Sequence, residues 1–188
     1  MYGMVHTSLR QMVTEHLGDG AWGKICSSKN IVSIDVTHTH ESYQDEVTFE
    51  LLLKAAEEFD LSIDDFMELF GQSWIRYASQ GKYKSMFLAC GADIKEFIGN
   101  LDNLHGAISS AMPGTKTGSF KIISSGSDWL IFRYKAARPG LDSFLRGLMK
   151  GLMDYFNLLG SVNVIASEER IIEILLKFTP TISNDVRT

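Results

Sequence analysis

The chain has 188 residues, a formal net charge of -5 and 45% hydrophobic residues, enough to bury a core around a ligand of several hundred cubic ångströms. Its charges are interspersed, without the Lys/Arg run that a nucleic acid or an anionic membrane would require, and no apolar run nears the roughly 20 residues of a bilayer span. The start MYGMVHTSLR has no signal-peptide core and Cys26 and Cys90 have no CxxC spacing, which predicts one soluble, cytoplasmic domain over residues 1–188.

In the first segment Met4, Val5, Leu9, Met12, Val13 and Leu17 share one helical face, and Gly18-Asp19-Gly20 ends it. A short helix follows through Trp22 and Ile25, then a polar stretch, then a helix marked by Val47, Leu51, Ala55 and Phe59. Ser62 with Asp65 predicts the cap of the next helix, whose apolar positions are Ile63, Phe66, Met67, Phe70, Trp74 and Tyr77. GKYKS interrupts it before a further helical stretch through Met86 and Leu88. From Leu101 a helix is predicted to Met112, stopped by Pro113-Gly114. The period then changes: Phe120 to Ile123 and Trp129 to Tyr134 read as a hairpin, Leu141 to Leu159 as a long helix, and Val162 to Ala166 with Arg170 to Phe178 as a second strand pair. The expected fold class is α+β: a mainly helical part over about 1–100, then a helix and a mostly antiparallel sheet with one long helix over about 101–180.

His105 lies on a helical stripe of Phe97, Leu101, Leu104, Ile108 and Met112, which directs its imidazole inward. A buried neutral imidazole is satisfied either by hydrogen bonds or by a metal, and it is a common proximal ligand of haem iron. Taken alone, the residue leaves both readings open.

The text around His105, LDNLH, together with MYG, FGQSW and RYKAARPG at their separations, resembles the H-NOX (haem, nitric oxide and oxygen binding) family up to about Thr179. The resemblance implies haem b buried between the helical part and the sheet, with His105 on the iron. It also implies that a Tyr-x-Ser-x-Arg motif holds the haem propionates. Here that motif is Tyr134-Lys135-Ala136-Ala137-Arg138: the guanidinium and the phenol suit carboxylates, while Ala136 removes the serine hydroxyl. A proline that distorts the haem in many members is replaced by Gly118, which predicts a flatter porphyrin.

By the same resemblance Val5, Leu9, Trp74, Phe144 and Leu148 line the gas-binding side, with Leu101 and Leu104 beside His105. Oxygen-binding members carry a tyrosine where this chain has Phe144. Bound oxygen is stabilised by a hydrogen-bond donor and nitric oxide needs none, so the implied ligand is nitric oxide, with carbon monoxide as a second candidate. The indole of Trp74 and the hydroxyl of Tyr77 are the two donors that bear on this. The implied function is a gas sensor, not an enzyme, in which release of His105 signals to a separate protein such as a histidine kinase or a cyclic-dinucleotide enzyme.

Elsewhere Gly147-x-x-x-Gly151 predicts close helix packing, and His38, His40 and Glu41 read as a solvated loop rather than a metal site. His6 and His16 read as surface or boundary residues, and Cys90 as core. No nucleophile elbow, phosphate loop or catalytic carboxylate pair is present. Two rival readings stand beside the sensor: an oxygen-binding or NO-consuming haem enzyme, and a haem-free α+β interaction module.

Overall fold

In the computed structural model the described residues are 3–27, 31, 41–111 and 117–181, with the side chain of Lys82 excepted. The helical part comprises α1 (Gly3–Leu17), α2 (Asp19–Ile25), α3 (Asp45–Glu58), α4 (Ile63–Ala78), a 3-10 turn (Gly81–Tyr83) and α5 (Lys84–Leu88). There follow α6 (Ile94–Ala111), the hairpin β1 (Ser119–Ser125) and β2 (Trp129–Lys135), then α7 (Asp142–Tyr155), β3 (Leu158–Glu168) and β4 (Ile171–Pro180). The four strands form one antiparallel sheet in the order β1-β2-β4-β3. No helix among the described residues is long and apolar enough to cross a membrane.

The α+β expectation holds, with shifted boundaries. Helix α6 begins at Ile94, seven residues before the expected Leu101, because Asp93 caps it: its carboxylate accepts the amides of Lys95 (2.8 Å) and Glu96 (2.9 Å), and Glu96 reaches back to the amide of Ala92 (2.9 Å). Helix α7 stops at Tyr155 because Asn157 turns left-handed (φ 53°), so Leu158 and Leu159, expected as helix, open β3 instead. Glu169 (φ 46°) reverses the chain between β3 and β4, which places Arg170 in the turn and not at the strand start. Ser62 caps α4 as expected, its hydroxyl accepting the Asp65 amide at 3.1 Å. The expected helix stop at Met112-Pro113-Gly114, and His38 and His40, lie outside the described residues.

Two apolar cores result. One fills the helical part with Leu9, Met12, Leu51, Phe66 and Phe70; the other sits under the sheet with Phe97, Ile98, Phe132, Leu145, Ile174 and Leu176. Trp74 packs against both. What locks α4 to α7 is the absence of side chains: a Cβ on Gly71 would lie 2.7 Å from the Leu148 amide nitrogen, and one on Gly147 would lie 2.7 Å from the Glu68 carbonyl carbon. The Gly147-x-x-x-Gly151 face therefore meets another helix. Glu68 of α4 adds ion pairs to Arg146 (2.5 Å) and Lys150 of α7.

One expectation is overturned in the core. His6 is fully buried, sharing a 2.8 Å hydrogen bond with the Thr48 hydroxyl and packing on the Tyr43 ring at 4.8 Å. It looked like a boundary residue because its partners are far along the chain. Cys90 is buried, as expected.

Candidate functional site

A cavity of about 300 Å³ lies where the two cores meet, with wall residues from α1, α4, α5, α6, β1, β2 and α7. Its lining is mostly apolar, as small-molecule sites are. Val5, Trp74, Leu101, Leu104, His105, Tyr134, Arg138, Phe144 and Leu148 all line it. Leu9 does not: it is fully buried in the helical core beside Met12 and Val13, one turn beyond Val5, on a part of α1 that faces the other helices.

His105 projects from α6, and its Nδ1 donates to the Gly118 carbonyl at 3.1 Å. That bond fixes the tautomer, since an Nδ1 that donates leaves Nε2 with a lone pair. Nε2 has no hydrogen-bond partner among the described residues, and burial lowers the imidazole's pKa, partly opposed by the bond to Gly118. At neutral pH the ring is therefore neutral, with its Nε2 lone pair on an apolar wall and its Nδ1–H held from behind, as in metal-bound imidazoles. Among the described residues no group of three or more His, Cys, Asp or Glu could hold a metal ion.

Gly118 has a second role. A Cβ there would fall directly on the Tyr134 ring, so the glycine lets the phenol lie against the segment that holds His105. Burial raises the Tyr134 pKa and keeps it a neutral donor. Arg138 lines the same cavity, and its Nε donates to Asp45 Oδ2 at 2.6 Å; that guanidinium holds the Asp45 pKa down to about 2. Arg138 thus sits in a geometry that already grips a carboxylate. Ala136 is buried, and its amide donates to the Arg170 carbonyl at 2.6 Å. The backbone at this position is committed to the β2–β4 connection and does not replace the missing hydroxyl.

On the α4 and α7 side of the cavity, Phe144 packs on Phe70 at 5.5 Å and Phe70 meets Trp74 edge-on at 6.5 Å. The Trp74 indole makes no hydrogen bond among the described residues. Tyr77 is not on the wall. Its ring lies 5.8 Å from that of Tyr83, and burial first, then Tyr83, pushes its pKa to about 12. Tyr83, which the sequence pattern did not single out, lines the cavity in its place. Asp45 was also missed, and no local signal marks it: it pairs with a residue 93 positions away.

A family model described as Haem-NO-binding matches residues 2–164. The chain belongs to the haem-NO-binding, or H-NOX, family. It is 26% identical over 153 residues to soluble guanylate cyclase 89Db of Drosophila melanogaster, covering 79% of this chain and 22% of that protein. The chain thus spans about a fifth of the length of that relative. Its fold matches an H-NOX protein from S. oneidensis in the Fe(II)NO state, with a TM-score of 0.79 at 16% identity over 95% of this chain and 99% of the other. It equally matches an oxygen-binding H-NOX domain related to soluble guanylate cyclases, in its oxygen complex, with a TM-score of 0.79 at 16% identity and 96% coverage of both chains. H-NOX domains bind haem, and this is a haem gas-binding domain of a family of NO and oxygen sensors. The residues present fit that cofactor: an unprotonated, unpartnered His105 Nε2 for the iron, apolar walls for the ring, and Tyr134 with Arg138 for its carboxylates.

Proposed function

We propose that the chain is an NO-selective sensor that signals through His105 to a separate effector protein. The observation that carries the reading is the His105 geometry, with Nδ1 tied to the Gly118 carbonyl and Nε2 left to the cavity. When bound, haem supplies an iron with a coordination position open to a diatomic gas. The chain's own residues set the rest.

His105 would tie α6 to the haem. The same helix is laced to the sheet by Asp102, which accepts the Phe120 amide at 2.7 Å, by the His105 bond to Gly118, and by Lys95, which donates to the Gly126 and Ser127 carbonyls. Release of His105 would free α6 around that residue, while the Asp102 and Lys95 contacts would couple its movement to β1 and the β1–β2 hairpin. A partner that binds the two positions unequally reads the signal.

Selectivity rests on Phe144. At the position where oxygen-binding members carry a phenol, this chain presents a ring without a donor, packed on Phe70. A bound oxygen, which draws negative charge, gains no hydrogen bond from it. Gly118 would exert no side-chain pressure on the ring, which agrees with the expectation of a flatter porphyrin.

The test is the visible absorption spectrum of the reduced protein alone, in air and with NO, for wild type and His105→Gly. A Soret band unmoved by air, shifted by NO and altered by loss of His105 supports the sensor. A stable spectral change in air refutes the selectivity, and the absence of any Soret band after haem reconstitution refutes the site.

A further inference from the structure

The helices pack on one face of the sheet, where Leu130, Phe132, Ile172, Ile174 and Leu176 are buried. The opposite face carries the alternate residues of the same strands. Across it, the register sets Lys121 beside Arg133, Lys135 beside Ile171, Ile131 beside Leu175, and Lys177 beside Trp129. The four cations are exposed and the apolar residues between them are partly so, with Ile171 at 42%. Among the described residues of the four strands, Glu173, bonded to Arg133, and Glu168 at the edge are the acidic ones.

A second surface of this chain is its complement. Over residues 53–65, from the later turns of α3 into the start of α4, Leu53, Leu61 and Ile63 are exposed (51%, 38% and 39%), and so are Glu57, Glu58, Asp60, Asp64 and Asp65 of the same stretch. Lys54 and Lys24 offset two of these carboxylates. The asymmetry runs through the molecule: the first hundred residues hold 15 carboxylates against 8 Lys/Arg, and the remainder 8 against 10.

The geometry points to head-to-tail association, in which the acidic, apolar α3–α4 corner of one copy docks on the basic, apolar outer sheet face of another. A contact between two different patches leaves one of each open at the ends, so assembly closes only as a ring or continues as an open chain. At strand spacings of about 4.8 Å the sheet face offers roughly 450 Å². That is below the about 800 Å² per partner of a stable complex, so the association is weak and dependent on concentration and salt.

Sedimentation velocity of the purified full chain, from about 10 to 500 µM, tests this at roughly 20 and 500 mM salt. The sedimentation coefficient is expected to rise with concentration at low salt and to fall to the monomer value at high salt. Lys121→Glu/Lys177→Glu and Glu57→Lys/Glu58→Lys should each remain monomeric alone, while their equimolar mixture should associate again, since each then presents the charge the other lacks. A wild type that stays monomeric throughout, a reversed variant that still associates, or a mixture that does not recover overturns the proposal. The wild-type series needs no variant to fold, and neither arm depends on haem or gas.

Discussion

Gly147→Ala is the most direct probe of how the fold shapes the gas-binding wall. The added Cβ would stand 2.7 Å from the Glu68 carbonyl carbon and 2.9 Å from its Cα, and nearer still to the carbonyl oxygen. All three are backbone atoms of the facing helix and cannot rotate away. Restoring ordinary contact requires α4 and α7 to part by roughly 1 Å, a gap that forfeits a quarter to a half of each dispersion contact across it. Overpacking typically costs about 1–3 kcal/mol, and a rigid obstacle places this substitution near 3. For a chain of this size that lowers Tm by about 6–12 °C. Because Phe70 and Trp74 ride on α4 while Phe144 and Leu148 ride on α7, the same separation should loosen the cavity wall and quicken gas dissociation. Thermal denaturation followed by circular dichroism, with stopped-flow release of carbon monoxide, reads both effects. Gly106→Ala, on an open face of α6 with nothing within 4 Å, is the control and should gain up to about 1 kcal/mol from helix propensity alone. If Gly147→Ala melts within about 2 °C of wild type, the close approach of the two helices is not what holds the wall, and the reasoning fails.

Other substitutions address the remaining parts of the site. Gly118→Ala places a methyl group on the Tyr134 ring and must displace either the phenol or the carbonyl that holds His105; transfer of haem to apomyoglobin should quicken, whereas an unchanged rate would show that neither is needed for retention. Phe144→Tyr introduces a donor on the wall, worth about 1.5–3 kcal/mol to a partly charged ligand, so oxygen affinity should rise about 10- to 150-fold; no gain would mean the ring does not face the gas. His6, whose pKa burial lowers from 6.5 to about 4, is neutral in the folded state while the unfolded chain takes up a proton. Stability should therefore be level above pH 6.5 and decline by up to about 3 kcal/mol between pH 6.5 and 4; urea denaturation of His6→Gln should lack that decline. Asp45, held near 2 by Arg138, contributes stability above its ordinary pKa of 3.8 that is lost as pH falls toward 2, a limb that Asp45→Asn should remove.

What was legible in the sequence is what a local period encodes. The stripe containing His105 directs it inward and the apolar stripe of α4 contains Trp74, while it is the family resemblance, not the period, that put Trp74, Phe144 and Leu148 at the cavity. Leu9 shows the limit of both: the period identifies a buried face of α1 but not which neighbour it meets, and the resemblance put it on a wall that it does not line. Val5 reaches the cavity, and Leu9, one turn on, meets the helical core. His6 fails for a related reason. Polarity argued for the surface, and only the Thr48 hydroxyl, 42 residues away, makes its burial tolerable.

The chemistry that positions the site is almost wholly of this long-range kind. His105 by itself leaves both hydrogen bonding and metal ligation open, with the plain core histidine the commoner case; the Gly118 carbonyl favours ligation, because it occupies Nδ1 and leaves Nε2 to the cavity. Arg138 by itself reads as a charged strand end, and Asp45 turns it into a preformed carboxylate grip. Any ligand carboxylate that takes hold of Arg138 must share the guanidinium with Asp45 or displace it, and Asp45 heads α3 while Arg138 follows β2. Occupancy of the site would thereby be coupled to the join between the helical part and the sheet.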